Sequence, residues 1–121
     1  MNRILVIEDN PMIVKSLQFK LEKDGYKVVI AEDGREAMKL LSEQPFDLIL
    51  TDLMLPFVTG NQLIQHIKEK FPGLPVIVLS TSKQENIIMD SFNLGVDDFI
   101  TKPFNPTELS LRVKRLLKKN D

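Results

Sequence analysis

Five short apolar runs, each followed by an amphipathic stretch, constrain the fold of this chain more than any other feature. "RILVI" (Arg3–Ile7), "YKVVI" (Tyr26–Ile30), "DLILT" (Asp47–Thr51), "PVIVL" (Pro75–Leu79) and "DFI" (Asp98–Ile100) read as strands. Most are almost continuously apolar, the pattern of strands covered on both faces. The stretches between them carry helix signals. Asn10 is placed to cap a helix that has Pro11 at its first position and Gly25 beyond its end. Capping-box spacing recurs at Asp33 and Glu36, at Ser82 and Glu85 ahead of Gly95, and at Asn105 and Glu108 around Pro106. Leu63, Ile64 and Ile67 share one face of a third helix, and Leu109, Val113, Leu116 and Leu117 form a stripe on a fifth. The alternation predicts an α/β fold: a parallel sheet with right-handed crossovers and helices on both faces. At 121 residues the chain reads as a single domain, 1–121, with no repeat, low-complexity segment or linker.

Composition narrows the function. A formal net charge of -1 argues against direct nucleic-acid binding and against attachment to a membrane surface. The absence of cysteine excludes disulfides and thiolate metal sites, and a single histidine excludes a multi-histidine site. No apolar run approaches the roughly 18 residues of a membrane span. The N-terminus "MNRILVIEDN" puts charge where a signal peptide needs an apolar core, so a cytoplasmic location is expected.

In open parallel sheets, ligands bind outside the carboxyl ends of the strands. Glu8 and Asp9 follow the first predicted strand, Asp52 the third, Ser80 and Thr81 the fourth, and Thr101, Lys102 and Pro103 the fifth. Only Ala31 and Glu32 follow the second. Asp52 is the most demanding of these, because in "LILTDLMLP" a carboxylate between apolar runs is costly unless something compensates it. Neighbouring strands lie about 4.8 Å apart. If the first and third are adjacent, Asp9 and Asp52 come within a few ångströms of each other, with Glu8 close by. Three such carboxylates repel unless a cation is present, and an all-oxygen set suits Mg²⁺. Each feature also has an ordinary use: acids at strand ends cap helices, a lysine before proline sits on the surface, and "STS" starts a helix. Their convergence on one sheet edge separates the two accounts.

Taken together, "ILVIEDN", "DLILTDLMLP", "PVIVLS" and "DDFITKPF" resemble the receiver domain of two-component response regulators, from Arg3 to about Lys118. The resemblance implies a flavodoxin-like (βα)5 doubly wound sheet of strand order 2-1-3-4-5. It makes Asp52 the phosphoacceptor. Asp9, Asp52 and the Met54 carbonyl become direct Mg²⁺ ligands, with Glu8 acting through water. Ser80 matches the hydroxyl that contacts the phosphoryl group, Lys102 the lysine that pairs with it, and Phe99 the aromatic that changes rotamer on activation. The Lys102–Pro103 bond is implied to be cis. The implied function is Mg²⁺-dependent phosphoryl transfer to Asp52 from a sensor histidine kinase or phosphotransfer protein. Transfer would switch the face made by the fourth helix, fifth strand and fifth helix, which controls an output domain or partner. Such a domain is a switch that catalyses only its own phosphorylation and dephosphorylation.

The sequence departs from the family pattern in places. Thr81 stands where alanine or glycine is usual and is expected to narrow access to the phosphoryl group. "PFVTG" puts Phe57 near the site, where it is expected to be exposed, whereas His66 lies away from it on the third helix. The transcription-factor branch forms a phosphorylation-dependent homodimer through charge pairs. Asp97, Asp98, Glu108, Arg112 and Arg115 match part of that set, but Ile88 replaces the basic residue in the fourth helix. With Ile87 beside it, an exposed Ile88 and a more apolar contact are expected. Three other readings are weaker. A haloacid-dehalogenase-type phosphatase needs an acid two residues after its nucleophile, where this chain has Met54. A pseudo-receiver would lack an acid or the lysine. An FMN-binding flavodoxin would want a hydroxyl- and glycine-rich loop where "EDNP" stands. Whether the receiver stands alone or belongs to a longer regulator is open at this point.

Overall fold

The computed structural model describes residues 1–119. Strands and helices alternate strictly: β1 (Arg3–Ile7), α1 (Pro11–Lys23), β2 (Lys27–Ala31), α2 (Gly34–Glu43), β3 (Leu48–Thr51), α3 (Gly60–Lys70), β4 (Val76–Ser80), α4 (Glu85–Asn93), β5 (Asp98–Thr101) and α5 (Pro106–Lys119). The strands form one parallel sheet of order β2-β1-β3-β4-β5, as the sequence resemblance implies. Among the described residues no helix is long and apolar enough to cross a membrane.

Successive strand residues face opposite sides of the sheet, so each continuous apolar run feeds two cores. Ile4, Val6, Leu48, Leu50, Ile77 and Leu79 face Leu17 and Leu21 of α1 and Leu109, Val113, Leu116 and Leu117 of α5. Leu5, Ile7, Ile49, Val76 and Val78 face Ala37 and Leu41 of α2 and Leu63, Ile64 and Ile67 of α3. Each large side chain buried in this way contributes on the order of 1.5–3 kcal/mol relative to exposure. β1, β3 and β4 form the buried centre, whereas edge strand β2 is only half covered.

The caps follow the sequence in part. Asn10 Oδ1 accepts from the Met12 and Ile13 amides, and Asp33 Oδ1 accepts from the Glu36 amide at 2.8 Å. Glu36 turns to the Glu32 amide instead of completing the box at Asp33. Asn105 Oδ1 accepts from Thr107 and Glu108, while the Glu108 carboxylate pairs with Arg112. The box expected at Ser82 and Glu85 does not form. Ser82 Oγ accepts from the Gln84 amide, and Gln84 occupies the cap position of α4 without a side-chain bond. The complete box lies at Thr59 and Gln62, where each side chain accepts from the other's amide. Strand ends also move by a residue. Ala31, Ser80 and Thr101 each close a strand, whereas Tyr26, Asp47 and Pro75 precede theirs.

One expectation about the surface is corrected. Ile87 and Ile88 are both half-buried, because α4 is turned so that it shares cover between them. Its exposed apolar residues are Met89 and Phe92, at 54% and 44%.

Candidate functional site

Strand register assembles the site. Ile7 pairs with Thr51, so the residues that follow, Glu8 and Asp52, leave adjacent strands at the same level. Ser80 pairs with Thr101, which brings Lys102 to the same edge. The Asp52 amide donates to Ile7 and the Lys102 amide to Ser80, extending the ladder one residue past the strand ends. Glu8, Asp9 and Asp52 each offer a carboxylate oxygen, all within 4.8 Å of one another. Glu8 is 2% exposed and Asp52 8%, while Asp9 lies in solvent.

Lys102 binds this acidic group together. Its ammonium donates to Glu8 Oε2 at 2.8 Å and to Asp52 Oδ2 at 3.1 Å. Burial of the ammonium favours its neutral form. The hydrogen bonds and charges of Glu8 and Asp52 outweigh that effect, so the Lys102 pKa lies above its ordinary value. Lys102 is therefore a fixed cation at neutral pH. The other oxygens of Glu8 and Asp52 meet main-chain donors: Glu8 Oε1 accepts from the Asn10 amide at 3.3 Å, and Asp52 Oδ1 from the Met54 amide at 3.2 Å.

The segment after Asp52 is tightly shaped. Thr51 Oγ1 donates to the Asp52 carbonyl, and the Gly60 amide donates to the Leu53 carbonyl at 3.1 Å. A Cβ on Gly60 would lie 2.5 Å from Leu53 Cα and 3.0 Å from the Asp52 carbonyl oxygen, so α3 begins in direct contact with the backbone of Asp52 and Leu53. Between them the chain turns at Phe57, which has φ +71°, and the Val58 amide donates back to the Pro56 carbonyl at 2.8 Å. That is a γ-turn of the rare, strained hand. The exposed Phe57 ring carries the Arg35 guanidinium 3.6 Å above its centre. Sequence reading missed Gly60, Arg35 and the γ-turn. "TGNQ" spelled out the adjoining Thr59–Gln62 box, but none of the other contacts has a local signature.

The other candidates are distributed as follows. Ser80 is buried, its Oγ accepting from the Ser82 amide at 3.2 Å. Phe99 is half-buried against the core beneath α2 and α3. The Lys102–Pro103 bond is cis. Thr81 is exposed and borders a hollow of about 420 Å³ together with Ile13, Lys102 and Phe104. A larger hollow of about 590 Å³, bordered by Phe46, Phe71 and Leu74, opens elsewhere and contains none of the site residues. His66 lies on α3, outside the cluster.

The charges near β5 engage within the chain. Asp98, 6% exposed, accepts from Arg112 with both oxygens, at 2.7 and 2.8 Å, and from Arg115 at 3.2 Å. The Phe99 amide shares Asp98 Oδ1 at 2.9 Å. The hydrogen bonds to Asp98 hold the Arg112 pKa above its ordinary value. Asp97 pairs with Lys68 of α3 at 3.0 Å.

Comparison with known proteins gives a consistent result. The response regulator receiver domain family matches residues 4–114. The transcriptional regulatory protein ResD of Bacillus subtilis is 40% identical over 117 residues, covering 97% of this chain and 48% of that protein. The alkaline phosphatase synthesis transcriptional regulatory protein PhoP of the same organism is 37% identical over 119 residues, covering 98% of this chain and 50% of that protein. The chain thus spans about half the length of the curated relatives it matches. The receiver domain of a Francisella response regulator superposes with a TM-score of 0.94 at 31% identity over 100% of both chains. A receiver domain protein from Methanospirillum hungatei gives the same TM-score and identity over 99% of this chain and 96% of that one.

Proposed function

Because this chain belongs to the response regulator receiver domain family, we propose that it is a phosphorylation switch with Asp52 as acceptor and Mg²⁺ as cofactor. The observation that carries the reading is the Lys102 ammonium, which spans Glu8 and Asp52 from the opposite end of the sequence. Three carboxylates against one ammonium leave the cluster short of two positive charges. A divalent cation with a preference for oxygen supplies them. Asp9, Asp52 and the Met54 carbonyl would hold the ion directly, and Glu8 through water. When bound, it adds positive charge against the phosphoryl oxygens.

The donor is a phosphohistidine of a sensor histidine kinase or phosphotransfer protein. An Asp52 carboxylate oxygen attacks phosphorus, and the O–P bond forms as the P–N bond breaks. The electron pair stays on the imidazole nitrogen, which takes up a proton. Lys102 keeps its charge beside the new acyl phosphate, and the Ser80 hydroxyl, whose oxygen accepts from the Ser82 amide, swings inward to donate its own proton to a phosphoryl oxygen. That motion vacates space for Phe99 to turn and alters the face of α4, β5 and α5, which the output domain or partner reads. Water returns Asp52 to its carboxylate by attacking phosphorus and releasing inorganic phosphate.

The test is an intact-mass measurement after incubation with acetyl phosphate. Wild type should gain one phosphoryl group only with Mg²⁺, and Asp52→Asn none. A Mg²⁺-dependent gain in Asp52→Asn would overturn the assignment.

A further inference from the structure

The backbone outlier of the molecule lies five residues past the proposed acceptor. Phe57 is the one non-glycine residue with positive φ among the described residues, at +71°. Its neighbours Pro56 and Val58 close the γ-turn by a 2.8 Å hydrogen bond. An aromatic L-residue is strained there, and such a conformation persists only where the surroundings fix it. The surroundings here come from α2. Arg35 stacks on the Phe57 ring at 3.6 Å. Next to it, a Cβ on Gly34 would lie 2.7 Å from Val58 Cβ, so the helix and the turn are already in close contact.

The same loop carries Met54, whose amide donates to Asp52 Oδ1. Its far end is fixed by Gly60 against Leu53 and by the Thr59–Gln62 box. Between these two anchors the γ-turn is the adjustable part, and α2 holds it at two places, Gly34 against the Val58 side chain and Arg35 stacked on the Phe57 ring.

We propose that Arg35 is a positioning residue for the acidic site: by stacking on Phe57 it fixes the γ-turn that sets where the Met54 main chain meets Asp52. Arg35 touches neither Asp52 nor a bound ion in this account and acts through Phe57 alone. The inference rests on the reading of Asp52, Asp9 and Met54 as the Mg²⁺ site.

Wild type, Arg35→Ala, Phe57→Gly and the double variant provide the test. Mg²⁺ affinity is measured by calorimetry, and hydrogen exchange of the Met54 and Val58 amides is measured without metal. Arg35→Ala should weaken Mg²⁺ binding and accelerate exchange by roughly three- to fivefold, the factor an exposed cation–π contact can supply. Glycine adopts positive φ without strain, so Phe57→Gly needs no clamp, and adding Arg35→Ala to it should change neither quantity. An Arg35→Ala effect of equal size in both backgrounds, or none in wild type, overturns the proposal. If wild type itself fails to bind Mg²⁺, the metal-site reading falls, and the exchange rates still decide the clamp.

Discussion

Lys102 Nζ and Glu8 Oε2 lie 2.8 Å apart although the two residues are 94 positions apart in sequence. Glu8 is almost wholly buried, so this contact, more than any surface pair, decides how the site tolerates change. Removing one partner of a buried ion pair costs about 3–5 kcal/mol because it strands the other charge. Lys102→Met should therefore destabilise the metal-free protein by on the order of 3 kcal/mol, measured by urea unfolding. Part of that loss should return when Mg²⁺ is added. Asp52→Asn should act in the opposite direction and raise Tm without metal, since it removes one of three mutually repelling carboxylates. A lower Tm for Asp52→Asn would mean that its contact with Lys102 outweighs the repulsion.

Gly60 offers a test that does not touch a charged group. The atoms a Cβ would meet, Leu53 Cα, Leu53 O and Asp52 O, all belong to backbone and cannot rotate away. Gly60→Ala should cost about 1–3 kcal/mol, the usual range for overpacking. It should also weaken Mg²⁺ binding, because relief requires the Asp52–Leu53 segment to shift. Gly73→Ala, where a Cβ has open space, is the control.

Much of this site was legible in the sequence. Apolar runs that end in Glu8, Asp9, Asp52, Ser80 and Lys102 put chemistry at strand ends, and a parallel sheet puts those ends on one edge. What stayed hidden depends on contacts between distant segments. Nothing in "PFVTG" says that Phe57 takes a left-handed turn or that Arg35, 22 positions earlier, stacks on it. Nor does spacing decide among competing caps. Ser82 and Glu85 match the box pattern, yet the chain entering α4 places Gln84 at the cap position. The adjacent isoleucines of α4 suggested exposure of Ile88, whereas a rotation of the helix divides cover between them.

The alkaline limit of stability has a defined sign. Burial, reinforced by the Asp24 charge, raises the Tyr26 pKa above 10.0, and the Lys102 pKa lies above 10.5. In both cases the folded state binds the proton more tightly than the unfolded state. The stabilisation is complete below the unfolded pKa and disappears as pH rises through the folded one. Unfolding free energy should therefore decline above about pH 10. Tyr26 is the chain's one tyrosine and there is no tryptophan, so tyrosinate absorbance reports this residue alone. Its midpoint should fall at higher pH in the folded protein than in urea. Equal midpoints would remove Tyr26 from the account.

Ser80 and Phe99 make the proposed switch testable in solution. In the unphosphorylated protein Ser80 Oγ accepts from the Ser82 amide, which leaves its O–H proton free to donate to a phosphoryl oxygen. Ser80→Ala should still gain mass with acetyl phosphate. Its Phe99 ring resonances should move far less than those of wild type on addition of beryllofluoride and Mg²⁺. Identical shifts in the two proteins would separate Phe99 from Ser80.

The surface of α4 and α5 carries the last expectation. Arg112 and Arg115 are committed to Asp98 within the chain, and Lys68 to Asp97. A second copy or partner would have to break these contacts to use the charges. The exposed apolar groups are free of that competition: Met89 and Phe92 on α4 and, on α5, Leu111 at 65% exposure. Self-association of the phosphorylated form should therefore depend on Phe92 more than on half-buried Ile88. Sedimentation velocity with and without beryllofluoride should show weak association at most in the free protein, strengthened by the analogue. Phe92→Glu should reverse the gain, and Ile88→Glu should reduce it less. Equal association in all samples would place the contact elsewhere and uncouple it from Asp52. Loss in Arg112→Ala with retention in Phe92→Glu would show instead that the charges exchange partners between chains.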